Sequence, residues 1–205
     1  MNALSPPFFI ELDTPRFKLR TLTPSDAGSS LEDWTLDPLA AEMMNARLKR
    51  WEVNRQRAYI ASFQNRKDRH LIGMFPTNTV APVGLYILRF NQPNGTFVIS
   101  NMIGDKAWRG NGSSAECSDA IYDYMFNTLG FSKAKANVRP QNKAMLWLMF
   151  NSAWKRECKL ILHLRDIDTK ARSDSYTFGL LAREWQAFHD KTRSNAGRTA
   201  LSSPP

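Results

Sequence analysis

Cysteine is scarce: Cys117 and Cys158 are the only two in 205 residues, and their spacing is not that of metal ligands. No metal is expected, and the thiols should be reduced, as in a cytoplasmic protein. No apolar run is long enough to span a membrane. The N-terminus Met1-Asn2-Ala3-Leu4-Ser5-Pro6-Pro7 lacks the basic region and apolar core of a secretory signal. Acidic residues are in deficit, 19 Asp and Glu against 28 Lys and Arg, a formal net charge of +9. Such an excess suits nucleic acid, an anionic cofactor or a solvated basic surface. The cations are scattered, with no basic stripe and no nucleic-acid motif, so a nucleic-acid partner is not expected. No internal repeat is present.

What remains is an ordinary globular chain, 42% apolar and 23% charged, long enough for one sizeable core. Residues 17–22 alternate as a half-buried strand does, and Thr23-Pro24-Ser25-Asp26 reads as a turn or helix start. Residues 28–68 read as mostly helical, with Leu31, Trp34 and Leu36 as anchors and a break at Asp37-Pro38. Residues 70–75, 83–90 and 96–103 are strand candidates that would form an antiparallel meander. A helix over 113–129 should end at Gly130 as its C-terminal cap. A short strand follows at 134–138. A helix then opens at Asn142, and its stripe Met145, Leu146, Met149, Phe150 and Ala153 is read as core. The last strands fall at 159–164 and 176–181. One domain over 1–189 is expected, with a disordered tail over 190–205.

The chain turns on Gly104-Asp105-Lys106-Ala107-Trp108-Arg109-Gly110-Asn111-Gly112-Ser113-Ser114-Ala115-Glu116. A strand precedes it and helical spacing follows it (Ser118, Ile121, Tyr122, Met125, Phe126, Leu129). A glycine-containing loop between strand and helix leaves backbone N–H groups at the positive end of the helix dipole, a ready site for phosphate or pyrophosphate. Gly110 and Gly112 allow close approach, and Arg109 could add a charge-assisted contact. The plainer alternative is a capping box, Ser113 with Glu116.

Arg109-Gly110-Asn111-Gly112-Ser113-Ser114-Ala115-Glu116 resembles the acyl-CoA pyrophosphate loop of the GNAT acetyltransferases, in particular the RimJ/RimL-like branch. Asn142, and Glu184-Trp185 near the end, extend the resemblance over roughly residues 15–186. It implies an α/β fold with a mixed, mostly antiparallel central sheet flanked by helices. It also implies acetyl transfer from acetyl-CoA to a primary amine: a small molecule, an amino acid or a protein N-terminus. By the same resemblance Asn101, Met102 and Ile103 would meet the pantetheine, Arg109, Gly110, Asn111, Gly112, Ser113 and Ser114 the pyrophosphate, and Asn142 the pantetheine, unless Asn142 is only a helix cap.

Three departures from the family pattern stand out: Ala107, Ala153-Trp154 in place of Gly-Phe, and Met145 and Met149 in the slots of the usual acids. A thioether cannot donate a proton. Water or another segment would then serve as acid, the thiolate would leave unprotonated, or catalysis has been lost and the fold kept. Base candidates by residue type are Ser100, Glu42 and His70, with Glu52 and His163; His163, inside an apolar strand, reads as a core histidine. Cys117 sits in a first helical turn, where a thiol pKa can fall. Trp147 and Trp154 would suit a roomier site for a longer acyl-CoA. A non-catalytic acyl-CoA-binding protein is the rival of another class. An apolar rim on the last strands would support a homodimer.

Overall fold

The computed structural model describes residues 3–44 and 46–201. Strands β1 (Glu11–Asp13), β2 (Phe17–Thr21), β3 (Arg69–Pro76), β4 (Gly84–Asn91), β5 (Thr96–Ile103), β6 (Lys133–Val138), β7 (Lys155–Arg165) and β8 (Arg172–Leu181) form one sheet in the order β1-β2-β3-β4-β5-β6-β8-β7. Every neighbouring pair is antiparallel except β5 and β6. The helices are α1 (Ser29–Trp34), α2 (Pro38–Met44), α3 (Val53–Ala61), α4 (Ser113–Asp123), α5 (Lys143–Phe150) and α6 (Ala182–Leu201). The architecture is the mixed, mostly antiparallel sheet expected. No helix among the described residues is long and apolar enough to cross a membrane.

Period-two alternation gives the sheet two apolar faces. Ile72 and Met74 of β3, Tyr86 and Leu88 of β4, and Phe97 and Ile99 of β5 face α4, packing with Cys117, Ile121 and Met125. The residues between them, Leu71 and Phe75 of β3 and Leu85 and Ile87 of β4, pack with Leu31, Trp34, Ile60 and Phe63 of the α1–α3 layer. Both layers follow from strands read as near-continuous apolar runs, since a strand buried on both sides cannot alternate with polar residues.

The feature that positions the site is the parallel pair. β5 and β6 hold together only at Thr96↔Lys133, Phe97↔Ala134 and Val98↔Lys135. Past Val98, β5 stays with β4 as far as Gly84↔Ile103, while β6 stays with β8 as far as Val138↔Tyr176. Each strand follows its other neighbour, so a wedge opens between them and leaves the edge of residues 99–103 without a strand partner.

Two expectations change in the structure. β7 is an exposed edge strand, so His163 lies on the surface rather than in the core. Of the α5 stripe only Met149 is buried, whereas Phe150 is exposed. Where composition suggests a tail from Asp190, α6 continues to Leu201; the final residues 202–205 lie outside the described residues, as do Met1 and Asn2 of the N-terminal stretch.

Candidate acyl-CoA site

The loop after β5 is built by two glycines in the left-handed region, Gly110 at φ 75 and Gly112 at φ 84. That conformation is costly for other residues. It leaves the N–H groups of Gly110, Asn111, Gly112, Ser114 and Ala115 without a hydrogen-bond partner among the described residues. The next amide, Glu116, already closes the helix on the Gly112 carbonyl at 3.0 Å. Five unpaired donors therefore sit at the positive end of α4, the arrangement that suits an anion. Asn111 helps hold the shape, its Oδ1 accepting from the Ser113 amide at 3.2 Å.

Glu116 is not a cap. The cap position is Gly112, which makes no side-chain contact of that kind. Glu116 instead takes the hydroxyl of Thr14 at 2.7 Å, the amide of Arg16 at 2.9 Å and the Arg16 Nε at 2.6 Å. Burial works against its charge, but the bonds from Thr14 and Arg16 outweigh it and hold the carboxyl below its usual value. The rest of the Arg16 guanidinium donates to the Asn111 carbonyl at 3.3 Å from each terminal nitrogen. The β1–β2 turn thus braces the glycine loop from a hundred residues away.

Arg109 borders the cleft and has partners of its own. Its Nε donates to the Ile103 carbonyl at 2.9 Å, and one terminal nitrogen bonds the Gly104 carbonyl at 2.9 Å and Asp37 at 2.6 Å. Those donors fasten the loop to β5 and to the start of α2 instead of facing the five amides. Burial would raise the Asp37 carboxyl, but Arg109 beside it brings the pKa below the ordinary value. Gly104 admits no side chain: a Cβ there would lie 2.0 Å from Cδ2 of Trp34.

From the loop a cleft of about 640 Å³ runs along Asn101, Met102 and Ile103 to Asn142 and Met145. It continues into a recess of about 230 Å³ within the wedge, reaching Ser100, Ser118, Tyr122, Arg139 and Ser175. All ten residues singled out from the sequence for the cofactor line this cleft or the loop at its end. The Asn101 amide donates to the Ser114 hydroxyl at 2.7 Å, tying the strand to the first turn of α4. Asn142 is a cap: its Oδ1 accepts from the Met145 amide at 3.1 Å, and the residue also borders the cleft.

The acid and base question narrows. Met145 and Met149 both face the recess. Of the base candidates only Ser100 does. His70 lies in the core, two strands from β5 through the pairs His70↔Leu88 and Leu88↔Ile99, and burial lowers its pKa. Glu42 is exposed on α2, and its carbonyl accepts from Arg139 at 2.8 Å. Cys117 is buried, and burial pushes its thiol up to about 12, the reverse of what its helical position suggests. Tyr122 and Ser118 reach the recess from α4; helical spacing places them on one face of that helix, and nothing local distinguishes a core tyrosine from one at a cleft floor.

The comparisons agree with this geometry. The family model for the acetyltransferase (GNAT) domain matches residues 16–151. The chain belongs to the GNAT family. It is accordingly an N-acetyltransferase. Among solved GNAT folds, a GCN5-related N-acetyltransferase from Brucella melitensis superposes with TM-score 0.79 at 14% identity, over 94% of this chain and 87% of that one. The ribosomal-protein-S5-alanine acetyltransferase from Vibrio fischeri gives 0.71 at 14% identity, over 86% and 98%. A spermidine N-acetyltransferase from Vibrio cholerae, solved with CoA and spermine, gives 0.73 at 13% identity, over 83% and 98%. At these identities the likeness is one of fold. No curated protein matches the sequence.

Proposed function

We propose that this GNAT enzyme transfers an acetyl group directly from acetyl-CoA to a primary amine. The observation that carries the reading is the wedge between β5 and β6, opening at one end onto five unpaired amides at the N-terminus of α4. A long ligand with an anionic middle and an amide-bearing arm suits both halves at once. Gly110, Asn111, Gly112, Ser113 and Ser114 would receive the pyrophosphate through backbone N–H groups, with Arg109 acting by holding the loop rather than by its charge. The unpaired edge of Asn101, Met102 and Ile103 would bind the arm and orient the thioester, and Asn142 would close the far side.

Acetyl-CoA supplies an activated acyl group on a leaving thiolate. The residues at the wedge position it, since orientation alone is worth several powers of ten in rate. Among the described residues no carboxylate or histidine lines the cleft. The amine accordingly loses its proton to solvent, and the thiolate, a tolerable leaving group with a thiol pKa of about 8.5, takes its proton from water. The RimJ/RimL-like loop supports a place near the ribosomal-protein N-terminal acetyltransferases. The neighbours named for ribosomal protein S5 and for spermidine leave both protein and small-molecule amines as acceptors.

Calorimetry with acetyl-CoA, on the parent and on Gly112→Trp, together with thiol release on an amine panel, tests this. Binding that the substitution abolishes, with turnover by the parent, is expected. Absence of acetyl-CoA binding by the parent would return the loop to an ordinary helix start.

A further inference from the structure

We propose that the acceptor is a primary amine carried on an aromatic or branched apolar body, seated in the pocket between the α1–α3 layer and the sheet. This deepens the acetyl-transfer reading and rests on it. The pocket encloses about 170 Å³, and its walls include Trp34, Trp51, Tyr59, Leu85, Ile87 and Met102. The Trp51 and Tyr59 rings meet edge to face at 5.2 Å, a preformed aromatic surface. The pocket shares Ala40 and Met102 with the acyl-CoA cleft. A ligand body held there therefore has a route for its amine to the end of β5, where the thioester would lie.

The side chains of Gln56 and Thr35, two polar groups of the pocket, are already engaged. Gln56, 1% exposed, accepts from the Gly28 amide at 3.0 Å and donates to the Trp51 carbonyl at 2.6 Å. The Thr35 hydroxyl donates to the Glu32 carbonyl at 2.7 Å and accepts from the Trp51 amide at 3.1 Å. Among the described residues no carboxylate lines the pocket. Of the acids that adjoin its residues in sequence, Glu32 is held by Arg50 at 2.7 Å, Asp37 is held by Arg109 at 2.6 Å, and Asp33, Glu42 and Glu52 are exposed and do not line it. The charged side chain at its rim is Arg47, a cation. A polycation entering here would leave water and find no counter-charge, whereas an apolar body gains on burial. The same surroundings disfavour the ammonium form of the reacting group, which fits a cleft without a general base. As the nitrogen–carbon bond forms, the carbon–sulfur bond breaks, and the proton lost by nitrogen reaches the departing sulfur through water.

The test compares phenethylamine with spermidine on the full chain, with acetyl-CoA binding measured separately by calorimetry. The expected result is kcat/KM for phenethylamine higher by about tenfold or more. Ala46→Trp, at an exposed position on the pocket mouth, should raise the phenethylamine KM by about tenfold and leave the acetyl-CoA affinity unchanged. Preference for spermidine by a protein that binds acetyl-CoA would overturn the inference and spare the acetyl-transfer reading. So would preference for octanoyl-CoA over acetyl-CoA that Ala46→Trp removes, because the pocket would then hold the acyl chain. If acetyl-CoA does not bind, the acetyl-transfer reading fails. Tryptophan fluorescence then still decides the pocket: quenching by phenethylamine that is lost in Ala46→Trp upholds it, and no quenching refutes it.

Discussion

Gly112 offers a test in which the physical cost is known and only its destination is open. Its φ is 84, and an added Cβ would have a single neighbour, Nη2 of Arg16 at an ordinary 3.7 Å. Gly112→Ala is therefore not a steric insult. It is a conformational one, at about 1–2 kcal/mol for an L-residue held in the left-handed region. If Arg16, Glu116 and Asn111 hold the free loop rigid, the whole cost falls on folding. Tm then drops by about 2–4 °C per kcal/mol for a chain of this size, and the acetyl-CoA Kd does not move. If the free loop relaxes to negative φ, Tm is spared. The five amides then turn away, and Kd weakens by about five- to thirtyfold as binding has to restore the strained form. Gly112→Asn, which tolerates the left-handed region, should show a smaller effect of the same kind, and Gly112→Trp should abolish binding by covering the amides. Thermal melts and calorimetry on the same preparations measure both quantities. A Gly112→Ala protein with neither Tm nor Kd changed, or a Gly112→Trp protein with the parent's affinity, would refute the reasoning.

Two further outcomes follow from buried groups. His70 is fully buried, and among the described residues neither ring nitrogen has a partner; burial holds its pKa below the ordinary value of 6.5. Native and unfolded chains are both neutral there above pH about 6.5, so its contribution is complete. As pH falls below that value the unfolded chain takes up a proton that the native chain refuses, and stability declines. His70→Leu should flatten that acid-side slope in denaturant melts taken between neutral and mildly acidic pH, and a slope unchanged by the substitution would assign it elsewhere. Gly104→Ala must displace Trp34, since its Cβ would lie 2.0 Å from the ring. The expected cost is about 1–3 kcal/mol, read as a lower Tm with altered tryptophan emission; a native Tm would show that the ring yields freely.

The parts of the site legible in the sequence are those written locally. β5 occupies Thr96–Ile103 as its β-branched run implies, α4 starts at Ser113 after the glycine loop, and Gly130 ends that helical stretch at φ 71. Turn chemistry and periodicity act over a few residues, so one chain suffices to read them. The charge of Arg109 suggests an anion, but its partner Asp37 sits on a distant element that local sequence does not reveal. Glu116 has the spacing of a capping residue, yet Arg16 and Thr14 claim it from the other end of the chain. His163 and Phe150 look like core residues by type, but nothing among the described elements covers β7 or that side of α5. Such outcomes depend on which surfaces meet, and apolar residues are common on protein surfaces.

The contact of Trp34 with Gly104 has a thermodynamic consequence. One face of that indole presses on the end of β5, next to the carbonyls gripped by Arg109, and the residue also walls the apolar pocket. A displacement of the strand end when the loop takes up its anion would move the pocket wall by the same step. The two ligands would then not bind as independent events. Whatever factor acetyl-CoA imposes on the amine's dissociation constant, the amine must impose on that of acetyl-CoA. Such coupling is symmetric: it sets how much each ligand gains from the presence of the other, whichever of them arrives first.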